Sequence, residues 1–260
     1  MVDELIMHIG THKTGTTAIQ GALSASREIL LTDRLLYPST GRGAYGQRRT
    51  PYTGHANLAR EAGGWDMFDP DAGGSDDVVA EAKDHDIDSV LVSAEDFSVP
   101  EGVERKIRWV RTLGERLGVT RVRVVVYLRP QWEYMESSYA ELVRSGYSQR
   151  LFPGQVDLDI DHPRFEYPGL LEPWSDAFGQ VDVYGYSGYS PSSVVDHFAT
   201  EVLDLPIAAP SLSKRPNRRA GEKTIEMLRC LRGLLAVARA DSKLPEVFFG
   251  VRQLLREEIP

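Results

Sequence analysis

Four short apolar runs, rich in β-branched residues, constrain this chain most: Leu5–Ile9, Ser89–Ser93 (SVLVS), Val122–Leu128 (VRVVVYL) and Val181–Tyr184 (VDVY). Each gives way to turn or polar residues, which suits strands buried on both faces of a parallel sheet better than the alternating strands of a meander. Helical patterns fill the intervals at Thr16–Leu30, Val103–Leu117, Gln131–Ser145, Gly169–Phe178 and Pro191–Leu203. Strands that alternate with helices predict an α/β fold with a central parallel β-sheet flanked by helices. From residue 205 onward no strand is legible. Ala220–Val237 and Pro245–Glu258 read as helices rich in leucine and arginine that cap the sheet, and the 260 residues are expected to form a single domain.

The first run leads into HIGTHKTGTTAIQ, His8 to Gln20. A strand, a glycine-flanked turn and a helix in this order predict a loop whose backbone N–H groups point inward, with the positive end of the helix dipole behind them. Gly15 permits the tight turn, Lys13 brings a mobile cation, and Thr16 and Thr17 bring hydroxyl donors. Anion binding is therefore expected here rather than a plain strand-to-helix turn. In the GxxxxGK[ST] loop of NTPases the lysine follows the second glycine, whereas Lys13 precedes Gly15.

A second constellation lies in YLRPQWEYMESSYAELVRSG. Arg129 ends a strand, Pro130 suits the start of a helix, and Ser137 follows eight residues after Arg129, about two helical turns on. An arginine at a strand end and a serine on the next helix predict a grip on a second phosphate, so the ligand would carry two separate phosphate groups. An NTPase would need a magnesium carboxylate at a strand end; of the other strand ends, VSAEDFS and YLRPQWEY, the second presents an arginine.

Composition narrows the classes. A formal charge of −8 argues against nucleic acid as the main partner. One cysteine, Cys230, excludes an internal disulfide and a cysteine-based zinc cluster, and it reads as a small buried residue on a helix. The histidines, including His85, His162 and His197, show no metal-site spacing, so no metal is expected. No segment approaches the roughly 20 apolar residues of a membrane span, and the acidic N-terminus is unlike a signal peptide, so a cytoplasmic location is expected.

Taken together, the two motifs resemble the sulfotransferases that use 3′-phosphoadenosine 5′-phosphosulfate, bacterial members in particular. THKTGTT is similar to their 5′-phosphosulfate loop, and Arg129 with Ser137 to their 3′-phosphate motif; the likeness spans roughly Ile6 to Gly146. The resemblance implies a P-loop-like fold and transfer of a sulfuryl group to a hydroxyl or amine of a small-molecule or glycan acceptor. His12, Lys13, Thr14, Gly15, Thr16 and Thr17 would hold the 5′ end of the nucleotide, with Lys13 neutralising the leaving phosphate. The displaced lysine then supplies what a metal supplies in phosphoryl transfer.

The resemblance also implies a base for the acceptor proton. Glu95, after the strand SVLVS, is the first choice, although an acid there also suits a helix N-terminus capped by Ser93. His55 is the second, and His12 is expected to orient the loop. Ala18 stands where animal cytosolic members often have a tryptophan. In place of their late RKGxxG loop this chain has SLSKRPNRRAGEK, where Lys214, Arg215, Arg218 and Arg219 cluster and Arg218 is the expected 3′-phosphate contact. Tyr186 could stack on adenine. The segments Tyr37–His55 and Gln149–Gly169 lack a regular pattern and are the expected acceptor loops. Arg42, Arg48 and Arg49 hint at an anionic acceptor, and Tyr45, Tyr52 and Trp65 at a ring. Two alternatives remain: a nucleotide-dependent kinase with an atypical P-loop, and a catalytically silent nucleotide-binding protein.

Overall fold

The computed structural model describes residues 2–43, 52–205 and 223–231. The described residues of Met1–Pro130 and Pro163–Ser211 form one compact unit, and those of Gln131–His162 and Leu212–Pro260 a second.

The first unit is built on a five-stranded parallel sheet of β1 (Glu4–His8), β2 (Leu35–Leu36), β3 (Ser89–Ser93), β4 (Arg121–Leu128) and β5 (Val181–Gly185), in the order β2-β3-β1-β4-β5. β1 is central, with His8 level with Ser93 on one side and Val125 on the other. Both sheet faces are buried because side chains alternate along each strand. Leu5, Met7, Val90, Val92, Val124 and Val126 enter one core, and Ile6, Leu91, Val125 and Tyr127 the other.

Helices cover both faces. α1 (Thr16–Ala25) and α2 (Arg27–Thr32) stand where one long helix was expected, with a break at Ser26. α3 (Ala56–Gly63) and α4 (Ser75–Lys83) lie in the stretch the sequence pattern leaves blank. Their short buried faces, Leu58, Ala59 and Ala62 on α3 and Val78, Val79 and Ala82 on α4, are rich in small residues and give a weak apolar period. α5 (Val103–Leu117) matches its expected span. It stops at Gly118 in the left-handed region, where the Val119 N–H reaches back to the Gly114 carbonyl, a closure that suits glycine. β3 is followed by α5 on the Leu5 face, whereas β1 is followed by α1 on the Ile6 face. The connections that follow the neighbouring strands β1 and β3 thus turn to opposite faces, and the carboxyl ends of these strands border the kind of crevice where ligands bind open α/β sheets.

The second unit carries α6 (Gln131–Ser145), which spans its expected residues, and α7 (Phe152–Asp159). α7 corrects the reading of Gln149–Gly169 as a patternless loop: its apolar residues Phe152, Val156 and Leu158 are too few and too spread to show a period. Tyr139 and Val143 of α6 pack with Ile225 and Leu228 of a helix at 223–231. Cys230 on that helix is exposed rather than buried as expected, because Ile225 and Leu228 define the packed face and residue 230 falls off it. Back in the first unit, α8 (Tyr167–Phe178) starts two residues before its expected position. α9 (Pro191–His197) passes into a wider π turn at Phe198–Val202, which together cover the expected helix to within a residue.

Candidate functional site

The β1–α1 loop is shaped by three left-handed residues, Gly10 (φ 67°), Lys13 (φ 68°) and Gly15 (φ 79°). Lysine seldom adopts this conformation, so the turn is held from outside. The Thr11 hydroxyl donates to the Tyr127 carbonyl at 3.1 Å, and the Thr14 hydroxyl to the Thr11 carbonyl at 2.6 Å. Gly15 caps α1, with the Ala18 N–H bonded to its carbonyl at 2.9 Å. The amides of Thr16 and Thr17, which start the helix, precede any intrahelical acceptor, which suits an anion. Thr16 is buried and Thr17 exposed.

Arg129 extends from the end of β4 over this loop, and its Nη1 donates to the Lys13 carbonyl at 3.2 Å. The Arg129 backbone is fixed by the Tyr167 hydroxyl, which donates to the Arg129 carbonyl. The guanidinium lies 5.6 Å from the centre of the Tyr186 ring, a cation–π distance. Tyr186 also packs against Gly15: a Cβ there would come within 3.1 Å of the tyrosine ring and 2.9 Å of Val194. Tyr186 in turn stacks on Tyr189, with ring centres 5.8 Å apart. The Arg129 guanidinium, the Lys13 carbonyl and the Tyr186 ring thus meet at the adjoining ends of β1 and β4.

Glu95 opens the 3-10 turn Glu95–Ser98 after β3. Its carboxylate accepts from Gln20 Nε2 at 3.0 Å, and the same amide nitrogen lies 3.5 Å from the Ser93 carbonyl. Gly54 leaves room for this amide, since a Cβ there would sit 2.3 Å from the Gln20 carboxamide carbon. The sequence motifs assign no role to Gln20. The available signal is its position four residues after Thr16, on the same helix face. Asp96, next in the turn, lies 3.8 Å from His12 Nε2, and burial raises its carboxyl above the usual range.

His55 occupies a different environment. It is fully buried; Nδ1 accepts the Ser93 N–H at 3.0 Å, so Nε2 carries the proton and donates to the Pro38 carbonyl at 3.0 Å. Both nitrogens are committed to backbone, and burial lowers its pKa to about 4. Through these bonds His55 ties the end of β3 to the segment after β2. His8 is likewise buried, with Nδ1 2.8 Å from the Ser93 hydroxyl, and burial lowers its pKa to about 3.

Trp65 lies under the ammonium of Lys106 at 5.1 Å, and Arg42 donates to the Pro38 carbonyl and to Ser24, so both side chains have partners within the fold. Ser137 is half-buried on α6. Arg218, Lys214, Arg215, Arg219, Tyr45, Arg48 and Arg49 fall outside the described residues. Among the described residues no group of three or more His, Cys, Asp or Glu side chains could hold a metal ion, and no helix is long and apolar enough to cross a membrane.

Neither a family model nor a curated protein sequence matches this chain. Among solved structures, one titled as a crystal structure of sulfotransferase from Alicyclobacillus acidocaldarius is similar, with a TM-score of 0.43 and 16% identity over 90% of this chain and 92% of that one.

Proposed function

We propose that this protein is a sulfotransferase that moves the sulfuryl group of 3′-phosphoadenosine 5′-phosphosulfate to a hydroxyl or amine of an acceptor. The observation that carries the reading is the contact of Arg129 with the Lys13 carbonyl, because it joins a cationic loop suited to one phosphate with an arginine suited to another. The sequence step from Arg129 to Ser137 and the basic run around Arg218 support a share for both residues in holding the 3′-phosphate. Tyr186, beside both Gly15 and Arg129, offers a face to the adenosine.

In this reaction the acceptor oxygen forms a bond to sulfur while the bond from sulfur to the bridging phosphate oxygen breaks. Negative charge gathers on that leaving oxygen, where Lys13 and the amides of the first turn of α1 stabilise it. Glu95 takes the acceptor proton, and Gln20 keeps the carboxylate turned toward the loop. The products are the sulfated acceptor and adenosine 3′,5′-bisphosphate.

Calorimetric titration with adenosine 3′,5′-bisphosphate, without magnesium, tests the reading, with AMP and ATP as controls. A charge-assisted contact to the 3′-phosphate is worth about 1.5–3 kcal/mol, so AMP should bind at least about tenfold more weakly, and Arg129→Ala should erase the difference. Preference for magnesium ATP over the bisphosphate would replace this reading with a kinase.

A further inference from the structure

Three successive carbonyls at the end of β4 are each taken by a donor from a different part of the fold. The Tyr127 carbonyl accepts the Thr11 hydroxyl at 3.1 Å, the Leu128 carbonyl accepts the Tyr186 N–H at 2.6 Å, and the Arg129 carbonyl accepts the Tyr167 hydroxyl. The first two donors come from neighbours of β4 in the sheet, the loop after β1 and the residue after β5. The third comes from the first residue of α8, 38 residues further along the chain. Arg129 precedes Pro130, which disfavours a helical conformation at residue 129, so the residue stays outside α6. The chain leaves the first unit after Pro130 and returns to it at Pro163. The bond between Tyr167 and Arg129, both within the first unit, therefore clasps the exit to the re-entry.

Tyr167 is a firm post for this clasp. It opens α8, whose start is capped by Glu166 accepting the Gly169 N–H at 2.6 Å and whose Leu170 and Trp174 are buried. Arg129 ends in a long side chain, with the guanidinium at 3.2 Å from the Lys13 carbonyl and 5.6 Å from the centre of the Tyr186 ring. A tilt of its peptide is magnified along that side chain, and a displacement of about 1 Å spoils a directional contact between guanidinium and phosphate. The segment Gln149–Gly169, which contains Tyr167, is expected from the sequence to meet the acceptor, yet this hydroxyl faces the nucleotide side. We propose that Tyr167 is a positioning residue for the 3′-phosphate: its hydroxyl fixes the direction in which Arg129 leaves β4, and so sets the preference for a nucleotide that carries that phosphate. The proposal rests on the sulfotransferase reading and deepens it by naming a residue that governs nucleotide selectivity without touching the nucleotide.

Adenosine 3′,5′-bisphosphate and AMP differ only in the 3′-phosphate, so the ratio of their affinities isolates the Arg129 contact. The test is calorimetric titration of the full chain with each nucleotide, in the wild type, Tyr167→Phe, Arg129→Ala and the double variant. Tyr167→Phe removes one hydroxyl and should weaken the bisphosphate about 3- to 10-fold, and AMP by less than about twofold. Adding Tyr167→Phe to Arg129→Ala should leave the ratio where Arg129→Ala alone puts it, because the phenol acts through the arginine. Equal weakening of both nucleotides in Tyr167→Phe, or no weakening of either, overturns the proposal and leaves a phenol that only holds α8 to β4. A further change of the ratio in the double variant overturns it as well, by showing that Tyr167 acts apart from Arg129. A wild type with no preference for the bisphosphate over AMP overturns it by another route, through failure of the sulfotransferase reading itself.

Discussion

Gly10 and Glu95 touch backbone to backbone: a Cβ built on Gly10 would lie 2.9 Å from both Cα and Cβ of Glu95 and 3.0 Å from the Thr16 methyl. The β1–α1 loop and the Glu95–Ser98 turn can approach this closely only because residue 10 has no side chain. Gly10 also has φ 67°, where other residues are strained. Gly10→Ala should therefore destabilise the protein by about 2 kcal/mol or more in urea unfolding, with weaker bisphosphate binding. An alanine variant of wild-type stability and affinity would show that the loop and the turn are not coupled through this contact.

Glu95→Gln keeps the shape of the side chain and removes the base. Once an acceptor is in hand, kcat should fall on the order of 10²–10⁴-fold, with the bisphosphate bound as in the wild type. Gln20→Ala, which leaves the carboxylate but frees it to rotate, should lower kcat less, with KM little changed. Full turnover in Glu95→Gln would remove Glu95 from the mechanism.

Acid should destabilise the fold through His8 and His55. Burial lowers their pKa values from 6.5 to about 3 and about 4, so below pH 6.5 the unfolded chain binds protons that the folded chain refuses. Their contribution is complete above pH 6.5 and is lost as pH falls toward the folded values, at up to about 1.4 kcal/mol per pH unit for each ring. His8→Leu should flatten the dependence measured by urea unfolding between pH 7 and pH 4. An unchanged slope would mean that His8 is protonated in the folded protein.

Lys106 works in the alkaline direction. Burial lowers its pKa from 10.5 to about 8, against the opposing pull of Asp96 and Glu101. Between these two values the unfolded chain binds more protons, so stability should rise as pH climbs from 8 to 10.5. Lys106→Met should abolish that rise. It also removes the hydrogen bond from the ammonium to the Val99 carbonyl, so the Glu95–Ser98 turn should exchange its amide hydrogens faster at pH 7.

The sequence by itself determined the parallel α/β architecture, because β-branched runs buried on both faces leave a dense local signal at β1, β3 and β4. It also singled out the β1–α1 loop and Arg129, two contiguous stretches that the structure brings into contact. α3, α4 and α7 were not legible, since their few apolar positions become a buried face only against partners distant in the chain. His55 shows the same limit: the resemblance made it a candidate base, and only the tertiary structure shows both its nitrogens bonded, to Ser93 and Pro38. Gln20, Gly54 and Glu95 come together from three separated segments, and Arg129 and Tyr167 from two. Close contact between segments remote in sequence depends on how the sheet orders its strands and how the helices seat on it, and that is settled by packing of the whole fold.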